Sequence, residues 1–432
     1  TVGVNMRGTG CSGGAYDYFD RAQLLDGYDV IETVARQPWV KHGKVGMVGL
    51  SFPGISQLFV AAEQPPSLAA IAPMSVIADT MSSTLLPGGI YNDGFALAWI
   101  DAVLDRAAPY GHRWVEQVVA AGDTVCEDNQ KLHGQRLDAT AKALANPFYS
   151  DEVGLPVDPS AWADRIQVPV FLTGQWQDEQ TGPHFATLGD KFTGAPVFRM
   201  TATNGVHIDG FSPQVLREWL TFLDLYVARE VPALDPLAET LTPLFMEQVY
   251  GASMALPDNR FADFQDFEAA RAAYEAEPPI KIIFESGADA ELPEATPQGT
   301  FALTAAAWPL PETRALRWYL QPDGTLGDAP PQGAAASRFE HDPEAGARGT
   351  LASGSVNALP IDWAWPPLRE GHALAWESAP LAEDVVMVGS GSVDLWLRSS
   401  AADADLEVSL TEVRPDGQEG LVQHGWLRAS HR

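Results

Sequence analysis

Residues 45–57, "VGMVGLSFPGISQ", decide how this sequence is interpreted. The first half is apolar and short, as in a buried strand, and the second half has the spacing of a helix. Ser51 lies at the junction, between Gly49 and a second glycine at position 54. The pattern approaches G-x-S-x-G, the strained strand-to-helix turn that exposes a nucleophilic serine, but its second glycine comes one place late.

The variant spacing is physically acceptable. Gly49 leaves room for the turn, and Gly54 allows close packing one step later. Pro53 falls in the first helical turn, where its missing N–H has no cost. The backbone N–H of Phe52 and the positive end of the helix would then face a developing oxyanion. The alternative interpretation of Ser51 is a surface serine in an ordinary strand-to-helix loop.

The remaining sequence divides into four parts. Strand-like runs and helices alternate over residues 1–75, beginning with "TVGVNM", and again over residues 167–287. This alternation predicts a mostly parallel sheet covered on both faces. Residues 76–166 are helical in character and predict a cap inserted over the sheet. Short alternating runs separated by turns such as "QPDGT" predict an all-β domain over residues 288–432.

Composition excludes several classes of partner. The 432 residues carry a formal net charge of −30, which argues against binding nucleic acid or an anionic membrane. No apolar run is long enough to span a bilayer. Cys11 and Cys126 match neither a disulfide framework nor a metal site. We therefore expect a cytoplasmic protein without metal or cofactor, and a homo-oligomer remains open.

The ends of the chain suggest a fragment. The sequence starts without Met on a strand-like run and finishes on another, "LVQHGWLRASHR". We expect the chain to be truncated at both ends.

A serine nucleophile needs a base, and the base needs an orienting carboxylate. In strand-to-helix folds with a serine elbow, the chain order is serine, acid, histidine. Asp178 follows the predicted strand at residues 168–174, and His207 follows the one at residues 195–202. Parallel strands end at one edge of a sheet, so this order predicts that Ser51, Asp178 and His207 lie together.

Other candidates fit this order less well. Glu179 could orient the base in place of Asp178, and His184 lies near the start of the next predicted helix. The remaining histidines lie at the wrong end of the sheet, in the cap or in the β region: His42, His112, His133, His341, His372, His424 and His431.

Gly8, Gly10 and Gly13 match G-x-G-x-x-G, the dinucleotide fingerprint. The fingerprint needs a helix that opens at its last glycine, and no such helix is predicted here. A nicotinamide-dependent oxidoreductase is therefore the weaker interpretation, and a tight loop beside Ser51 the stronger one.

Five segments together carry a family resemblance: "NMRGTGCSGG", "DGYDVIETVARQPWV", "VGLSFPGISQ", "GQWQDEQTG" and "NGVH". They resemble the cocaine esterase-like (CocE/NonD) hydrolases, which belong with the X-Pro dipeptidyl peptidase-like α/β-hydrolases. The late glycine is that family's own form, G-x-S-[YF]-x-G. The resemblance implies an α/β-hydrolase fold with a helical cap insertion, followed by an all-β jelly-roll domain that is similar to galactose-binding domains and incomplete here.

The resemblance also implies an activity. It indicates a serine hydrolase acting on a small-molecule ester or amide, with Ser51 as nucleophile, Asp178 as acid, His207 as base and the Phe52 N–H as one oxyanion donor. The second donor, a tyrosine hydroxyl, is expected upstream of residue 1.

The resemblance does not identify a substrate. Relatives that hydrolyse α-amino acid esters carry extra carboxylates after the catalytic aspartate, and Glu179 alone does not reproduce that cluster. We therefore prefer a CocE/NonD-type carboxylesterase. An X-Pro dipeptidyl-peptidase-type serine peptidase and a non-catalytic binding protein on a hydrolase scaffold are the alternatives. Trp99, Trp114 and Trp176 are candidates for lining the acyl pocket.

Overall fold

The structure is a computed structural model that describes residues 1–134, 138–288, 291–293, 296–345, 365–366 and 368–432. Its main sheet contains six strands in chain order: β1 (Val45–Leu50), β2 (Leu68–Met74), β3 (Val170–Gln175), β4 (Phe198–Thr203), β5 (Ile280–Phe284) and β6 (Phe301–Ala305). Neighbours from β1 to β5 pair in parallel, and β6 pairs with β5 antiparallel. The carboxyl ends of β1 to β5 therefore share one edge.

Nine α-helices accompany these strands in the described residues: α1 (Arg21–Ala35), α2 (Phe52–Ala62), α3 (Ala98–Arg106), α4 (Arg113–Ala120), α5 (Thr124–Gln130), α6 (Ala139–Ala145), α7 (Pro213–Leu223), α8 (Pro236–Tyr250) and α9 (Phe267–Ala276). Local sequence explains their starts. The Asp20 carboxylate caps α1 by accepting the Gln23 N–H, and Pro236 occupies the first turn of α8. Within the described ranges, no helix combines the length and the apolar character that crossing a membrane requires.

The sheet is covered on both faces, as the alternation of strands and helices predicts. Along β3, Val170 and Leu172 join a core cluster that includes Phe59 of α2, whereas Phe171 joins a second cluster with Phe222 of α7. Successive side chains of a strand point to opposite faces, so one strand supplies both cores. An α/β core with a parallel sheet is thus confirmed.

Between β2 and β3, the described residues form helices and turns and contain no strand. This segment holds α3 to α6 and short 3₁₀ and π turns, in line with the predicted helical cap. It contacts the core through a hydrogen bond from the Tyr18 hydroxyl to the Ile100 carbonyl oxygen (3.0 Å).

The strand predicted over residues 1–6 is wrong. This segment is irregular, and Val2 and Val4 are 48% and 54% exposed. A strand needs a hydrogen-bonded neighbour, and no described residue pairs with this segment. Among the described strands, β1 lies at one edge of the main sheet.

Two helices were not predicted. α8 and α9 lie between α7 and β5, where the hydrophobic pattern predicts no element. Both begin after an aspartate whose carboxylate accepts a backbone N–H of the first turn, Asp235 for α8 and Asp266 for α9. This capping signal is visible in the sequence.

After β6, the regular structure of the described residues is almost entirely β. A three-stranded sheet contains β7 (Tyr319–Leu320), β8 (Thr325–Gly327) and β9 (Glu377–Ser378), and a long hairpin contains β10 (Asp405–Val413) and β11 (Glu419–Arg428). Residues 385–389 and 392–400 also have strand-like composition, but they form no strand, because no described neighbour pairs with them. The all-β character is confirmed, whereas the jelly roll and the exact domain boundaries stay predictions.

Cys11 and Cys126 form a disulfide, contrary to the interpretation of the sequence. The bond joins the glycine-rich loop before α1 to α5 of the cap across a sequence separation of 115 residues. Two α5 side chains bind the same loop: Asn129 Nδ2 donates to Cys11 O (2.8 Å) and Gln130 Nε2 to Gly10 O (2.8 Å). Only the docking of the cap brings the two thiols together, which is why spacing alone did not reveal the bond.

The disulfide should stabilise the cap against the core. Replacing both Cys11 and Cys126 by serine removes a covalent loop of 115 residues, so loop-closure entropy predicts that the free energy of unfolding falls by about 5 kcal/mol. Urea denaturation of the oxidised chain and the double variant measures the difference. As a control, the addition of a reducing agent should lower the stability of the oxidised chain but not that of the double variant. Two alkylatable thiols in the denatured, unreduced chain would contradict the bond.

Candidate active site

Ser51 occupies a strained turn between β1 and α2. Its φ of 66° and ψ of −134° are unusual for a residue with a side chain. The Ser51 N–H donates to Met74 O (2.9 Å), which ties the turn to the end of β2. The backbone conformation is the one that a nucleophile elbow requires.

Close steric contacts explain why the motif has glycine at both of its positions. A Cβ on Gly54 would lie 2.6 Å from Met74 O and 2.9 Å from Gly49 O. A Cβ on Gly49 would lie 2.5 Å from the Cβ of Pro53. The first turn of α2 therefore packs directly on the ends of β1 and β2, and the glycine at position 54 makes this approach possible.

Asp178 and His207 meet at the same edge of the sheet. Asp178 follows β3, and His207 begins a 3₁₀ turn after β4. His207 Nδ1 lies 2.7 Å from Asp178 Oδ2, and both side chains are buried. The sequence predicted this neighbourhood from strand order alone.

The Asp178 carboxylate is fully hydrogen-bonded. Oδ1 accepts the backbone N–H groups of Gln180 (2.8 Å) and Thr181 (2.7 Å). Oδ2 accepts the Thr181 hydroxyl (2.6 Å) besides His207 Nδ1. Burial alone would raise the pKa of Asp178, but the His207 charge and these hydrogen bonds hold that pKa below its ordinary value. The carboxylate therefore stays ionised at neutral pH.

His207 has one ring nitrogen left for chemistry. Burial acts to lower the pKa of His207, but the adjacent Asp178 carboxylate outweighs burial and raises that pKa above its ordinary value. Nε2 is buried and has no hydrogen-bond partner among the described residues. A carboxylate-oriented imidazole with an unoccupied nitrogen is suited to take a proton from a hydroxyl.

Ser51 follows β1 and therefore lies at the same edge of the sheet as this pair, but no hydrogen bond joins Ser51 to His207 among the described residues. A Cβ on Gly210, in the His207 turn, would lie 2.7 Å from Leu50 Cδ1, so this turn packs against the residue that precedes Ser51. In unliganded enzymes, catalytic hydrogen bonds are often formed only when substrate binds.

Glu179 and His184, the other candidates, have different positions. Glu179 Oε2 accepts the backbone N–H of His207 (2.9 Å), so Glu179 holds the His207 loop rather than the ring. Burial, together with the Asp178 charge, raises the pKa of Glu179. His184 is exposed on the 3₁₀ turn Pro183–Leu188.

Two residues near His207 have functional contacts that no sequence motif indicates. Ser75, directly after β2, places its Oγ 2.6 Å from Gln175 Oε1 and 2.9 Å from His207 O. The Ser75 hydroxyl has one proton, so it donates to only one of these two oxygens at a time. Asp209 accepts the Val206 N–H (2.8 Å), and burial raises the pKa of Asp209 to about 7. Neither residue belongs to a recognisable motif, so the sequence offered no signal for them.

Ser51 opens into a cavity of about 140 Å³ between the core and the cap. Most lining side chains are apolar, including Phe52, Met81 and Trp99, and the charged side chains among them are Asp17 and Lys142. Of the three tryptophan candidates, Trp99 lines this cavity. Trp114 is exposed on α4, and Trp176 packs against Phe185 in the core.

The glycine-rich loop lacks the context of a dinucleotide site. Residues 1–7 form no strand ahead of Gly8, and the next helix, α1, begins only at Arg21. The loop is instead bound by α5 of the cap, as described above. The oxidoreductase interpretation therefore has no structural support in this region.

Two family models match the chain. The model described as X-Pro dipeptidyl-peptidase (S15 family) matches residues 1–209, and the model described as the X-Pro dipeptidyl-peptidase C-terminal non-catalytic domain matches residues 272–432. Residues 210–271, which hold α7 and α8, lie outside both matches.

Curated relatives extend over the whole chain. A protein of Mycobacterium tuberculosis (strain CDC 1551 / Oshkosh), provisionally named a serine esterase, is 25% identical over 462 residues, covering 100% of this chain and 68% of the relative. Cocaine esterase of Rhodococcus sp. (strain MB1 Bresler) is 24% identical over 428 residues, covering 94% of this chain and 69% of the relative.

Solved structures share the fold. An α-amino acid ester hydrolase aligns with a TM-score of 0.60 at 17% identity, over 95% of this chain and 66% of its own. An aminopeptidase from a marine sediment Thaumarchaeota archaeon aligns with a TM-score of 0.59 at 16% identity, over 96% and 66%.

A CocE/NonD family hydrolase from Staphylococcus aureus aligns with a TM-score of 0.51 at 19% identity, over 75% of this chain and 45% of its own. The chain thus spans less than two thirds of each of these three solved structures. Both family models and the curated relatives agree, so the chain belongs to the CocE/NonD, X-Pro dipeptidyl-peptidase-like hydrolase family.

Proposed function

We propose that this chain is a serine hydrolase that cleaves a carboxylic ester of a small molecule through Ser51, His207 and Asp178. The observation that carries the proposal is the buried contact of 2.7 Å between His207 Nδ1 and Asp178 Oδ2. It is supported by the strained turn of Ser51, which ends a strand at the same edge of the sheet. The names of the curated relatives support an ester as the substrate.

The reaction proceeds in two halves. His207 Nε2 takes the proton of the Ser51 hydroxyl as Oγ attacks the carbonyl carbon, and Asp178 stabilises the imidazolium that forms. His207 then gives this proton to the alcohol oxygen as the ester bond breaks. The alcohol departs, and the acyl group remains bound to Ser51 Oγ. Water attacks the acyl-enzyme while Nε2 takes its proton, and the return of this proton to Ser51 releases the acid and restores the enzyme.

We assign the oxyanion to the start of α2. Phe52 is the first residue of this helix, and the first N–H groups of a helix have no partner within it. The Phe52 N–H is thus our candidate donor, and the positive end of the helix adds to the stabilisation of the negative oxygen.

The cavity restricts the acyl group. A volume of about 140 Å³ with mostly apolar walls suits a small apolar acyl group. We assign this cavity to the acyl side of the ester and assign no site to the leaving group.

One observation favours the peptidase alternative. Cleavage after an X-Pro dipeptide requires an anchor for the substrate ammonium, and the Asp17 carboxylate lines the same cavity as Ser51. Lys142, which also lines the cavity, opposes this role by its charge. We therefore keep the esterase as the first proposal.

The compartment stays a prediction. A cytoplasmic location was expected from the sequence, but a disulfide such as Cys11–Cys126 favours an oxidising compartment.

The nucleophile can be tested directly. A fluorophosphonate probe should add one group to the chain at Ser51, because an activated serine attacks phosphorus as it attacks a carbonyl. Intact-mass spectrometry measures the adduct. Ser51→Ala should remove the adduct and lower kcat for a p-nitrophenyl ester by about 10⁶-fold. Ser56→Ala, which removes a half-buried hydroxyl from the same helix, is the matched control.

Absence of an adduct on the folded chain would contradict the hydrolase proposal. It would favour the non-catalytic binding protein on a hydrolase scaffold. An adduct that persists in Ser51→Ala would show that another residue is the nucleophile.

The acid should control the pH dependence. His207 acts as a base only when neutral, so kcat/KM of the wild type should rise with pH through a pKa above the ordinary histidine value. Asp178→Asn removes the anion that raises this pKa, so the acid limb should move to lower pH while kcat falls about 10⁴-fold. The pH profile of ester hydrolysis measures both effects. An acid limb that stays in place would show that Asp178 does not set the pKa of His207.

The ester and peptide alternatives can be separated with Asp17→Asn. If the esterase proposal holds, kcat/KM for a p-nitrophenyl ester of a small acid exceeds that for an Xaa-Pro p-nitroanilide, and Asp17→Asn has little effect on the ester. A wild type that prefers the anilide, together with selective loss of anilide turnover in Asp17→Asn, would establish the peptidase.

A further inference from the structure

We propose that the C-terminal hairpin β10–β11 positions the catalytic acid, through paired hydrogen bonds that Gln177 and Gln423 make between β11 and the segment just before Asp178. This inference rests on the proposed function. It assigns Gln177 and Gln423 as positioning residues, because neither acts on the reacting atoms in this scheme.

The two hydrogen bonds are reciprocal. Gln423 Nε2 donates to Trp176 O (2.7 Å), and Gln177 Nε2 donates to Val422 O (2.7 Å). Each side thus supplies one side-chain donor and one backbone acceptor from adjacent residues. Trp176 and Gln177 immediately precede Asp178, so these bonds fix the backbone that carries the acid.

The same segment is bound to the strand that leads to His207. The Trp176 N–H donates to Thr203 O (2.9 Å), and the Gln177 N–H donates to Gly205 O (3.1 Å). Residues 176–177 therefore connect β11 with the chain that carries the base. A displacement of this segment would change the contact between Asp178 and His207.

An irregularity in the hairpin makes the Val422 carbonyl available. Leu410 pairs with Gln423, but the next residue, Thr411, pairs with Leu421, so Val422 is skipped in the ladder. Such a bulge leaves its extra residue unpaired and redirects the strand. The unpaired Val422 carbonyl is the group that accepts Gln177.

The Gln423 side chain is itself oriented. Its Oε1 accepts the backbone N–H of His424 (2.9 Å), which leaves Nε2 to donate to Trp176 O. An amide whose oxygen and nitrogen both have partners loses little further entropy when it holds the loop.

The hairpin has separate anchors on the cap. His431, after β11, stacks on Phe148 with ring centroids 4.3 Å apart, and its Nε2 lies 3.0 Å from Pro147 O. Trp426 O contacts Gly88 so closely that a Cβ there would collide with it. Removing the glutamine pair should therefore leave the hairpin docked, and the variants isolate the positioning effect.

Gln423→Met and Gln177→Met test the inference. Methionine keeps the length of the side chain and removes the amide donor. We expect each variant to lower the pKa of His207, because Asp178 is held less closely to Nδ1. We also expect kcat/KM for a p-nitrophenyl ester to fall by about 10- to 100-fold. The double variant should lose more than either single one, since two bonds hold one segment.

The measurement is the titration of the His207 imidazole by NMR of histidine-labelled protein, assigned with His207→Gln, alongside the pH profile of kcat/KM. Gln418→Met is the matched control, since this exposed glutamine lies in the turn of the same hairpin. It should leave both readouts unchanged. A merely structural role of Gln423 would lower the unfolding midpoint without moving the pKa of His207.

The inference is overturned if the folded double variant keeps the wild-type pKa of His207 and the wild-type kcat/KM. Should Gln423→Met fail to fold, Gln177→Met on the hydrolase core carries the same test. Failure of the proposed function has a different signature: the wild type takes no phosphonate label and hydrolyses no ester. The His207 titration still reports the positioning in that case, because it does not depend on turnover.

Discussion

The common direction of β1 to β5 is the constraint on which the candidate site depends. A serine, an acid and a histidine from three distant parts of the chain can meet only if their strands end at one edge of the sheet. The sheet provides this edge, and the turns after β1, β3 and β4 provide the residues. The strain of the Ser51 turn is maintained by the packing of α2 on β1 and β2, which accounts for both glycines of the motif.

Burial of charge is the second requirement. Asp178 remains ionised inside the protein because four donors occupy its two oxygens, and the resulting anion keeps the pKa of the buried His207 high. Glu179 lies next to this pair, where a third buried charge would be unfavourable. Its raised pKa and the hydrogen bond that it accepts from the His207 N–H indicate that Glu179 supports the His207 loop. The adjacent carboxyl groups of Asp178 and Glu179 therefore have different roles, because they make different hydrogen bonds.

Sequence reasoning was strongest where local pattern and chain order suffice. The β1–Ser51–α2 unit, the parallel core and the neighbourhood of Asp178 and His207 follow from such patterns. It failed where the outcome depends on pairing at a distance. The segment at residues 1–6 has the composition of a strand but no described neighbour, and Cys11 reaches Cys126 only through the docking of the cap. Ser75 and the unpaired Val422 carbonyl arise from tertiary packing alone, so no motif announces them.

The contacts around the candidate site also connect the C-terminal β region with the core and the cap. The family model that matches residues 272–432 describes a non-catalytic domain, and no residue of that region belongs to the Ser51, Asp178 and His207 set. Yet β11 is bonded to the segment before Asp178 on one side and touches the cap at Gly88 on the other. The cap is in turn bonded covalently to the loop before α1. The core, the cap and the hairpin are therefore all connected to one another around Ser51. In the positioning role that we propose, the hairpin acts on Asp178 through these contacts and supplies no reacting group.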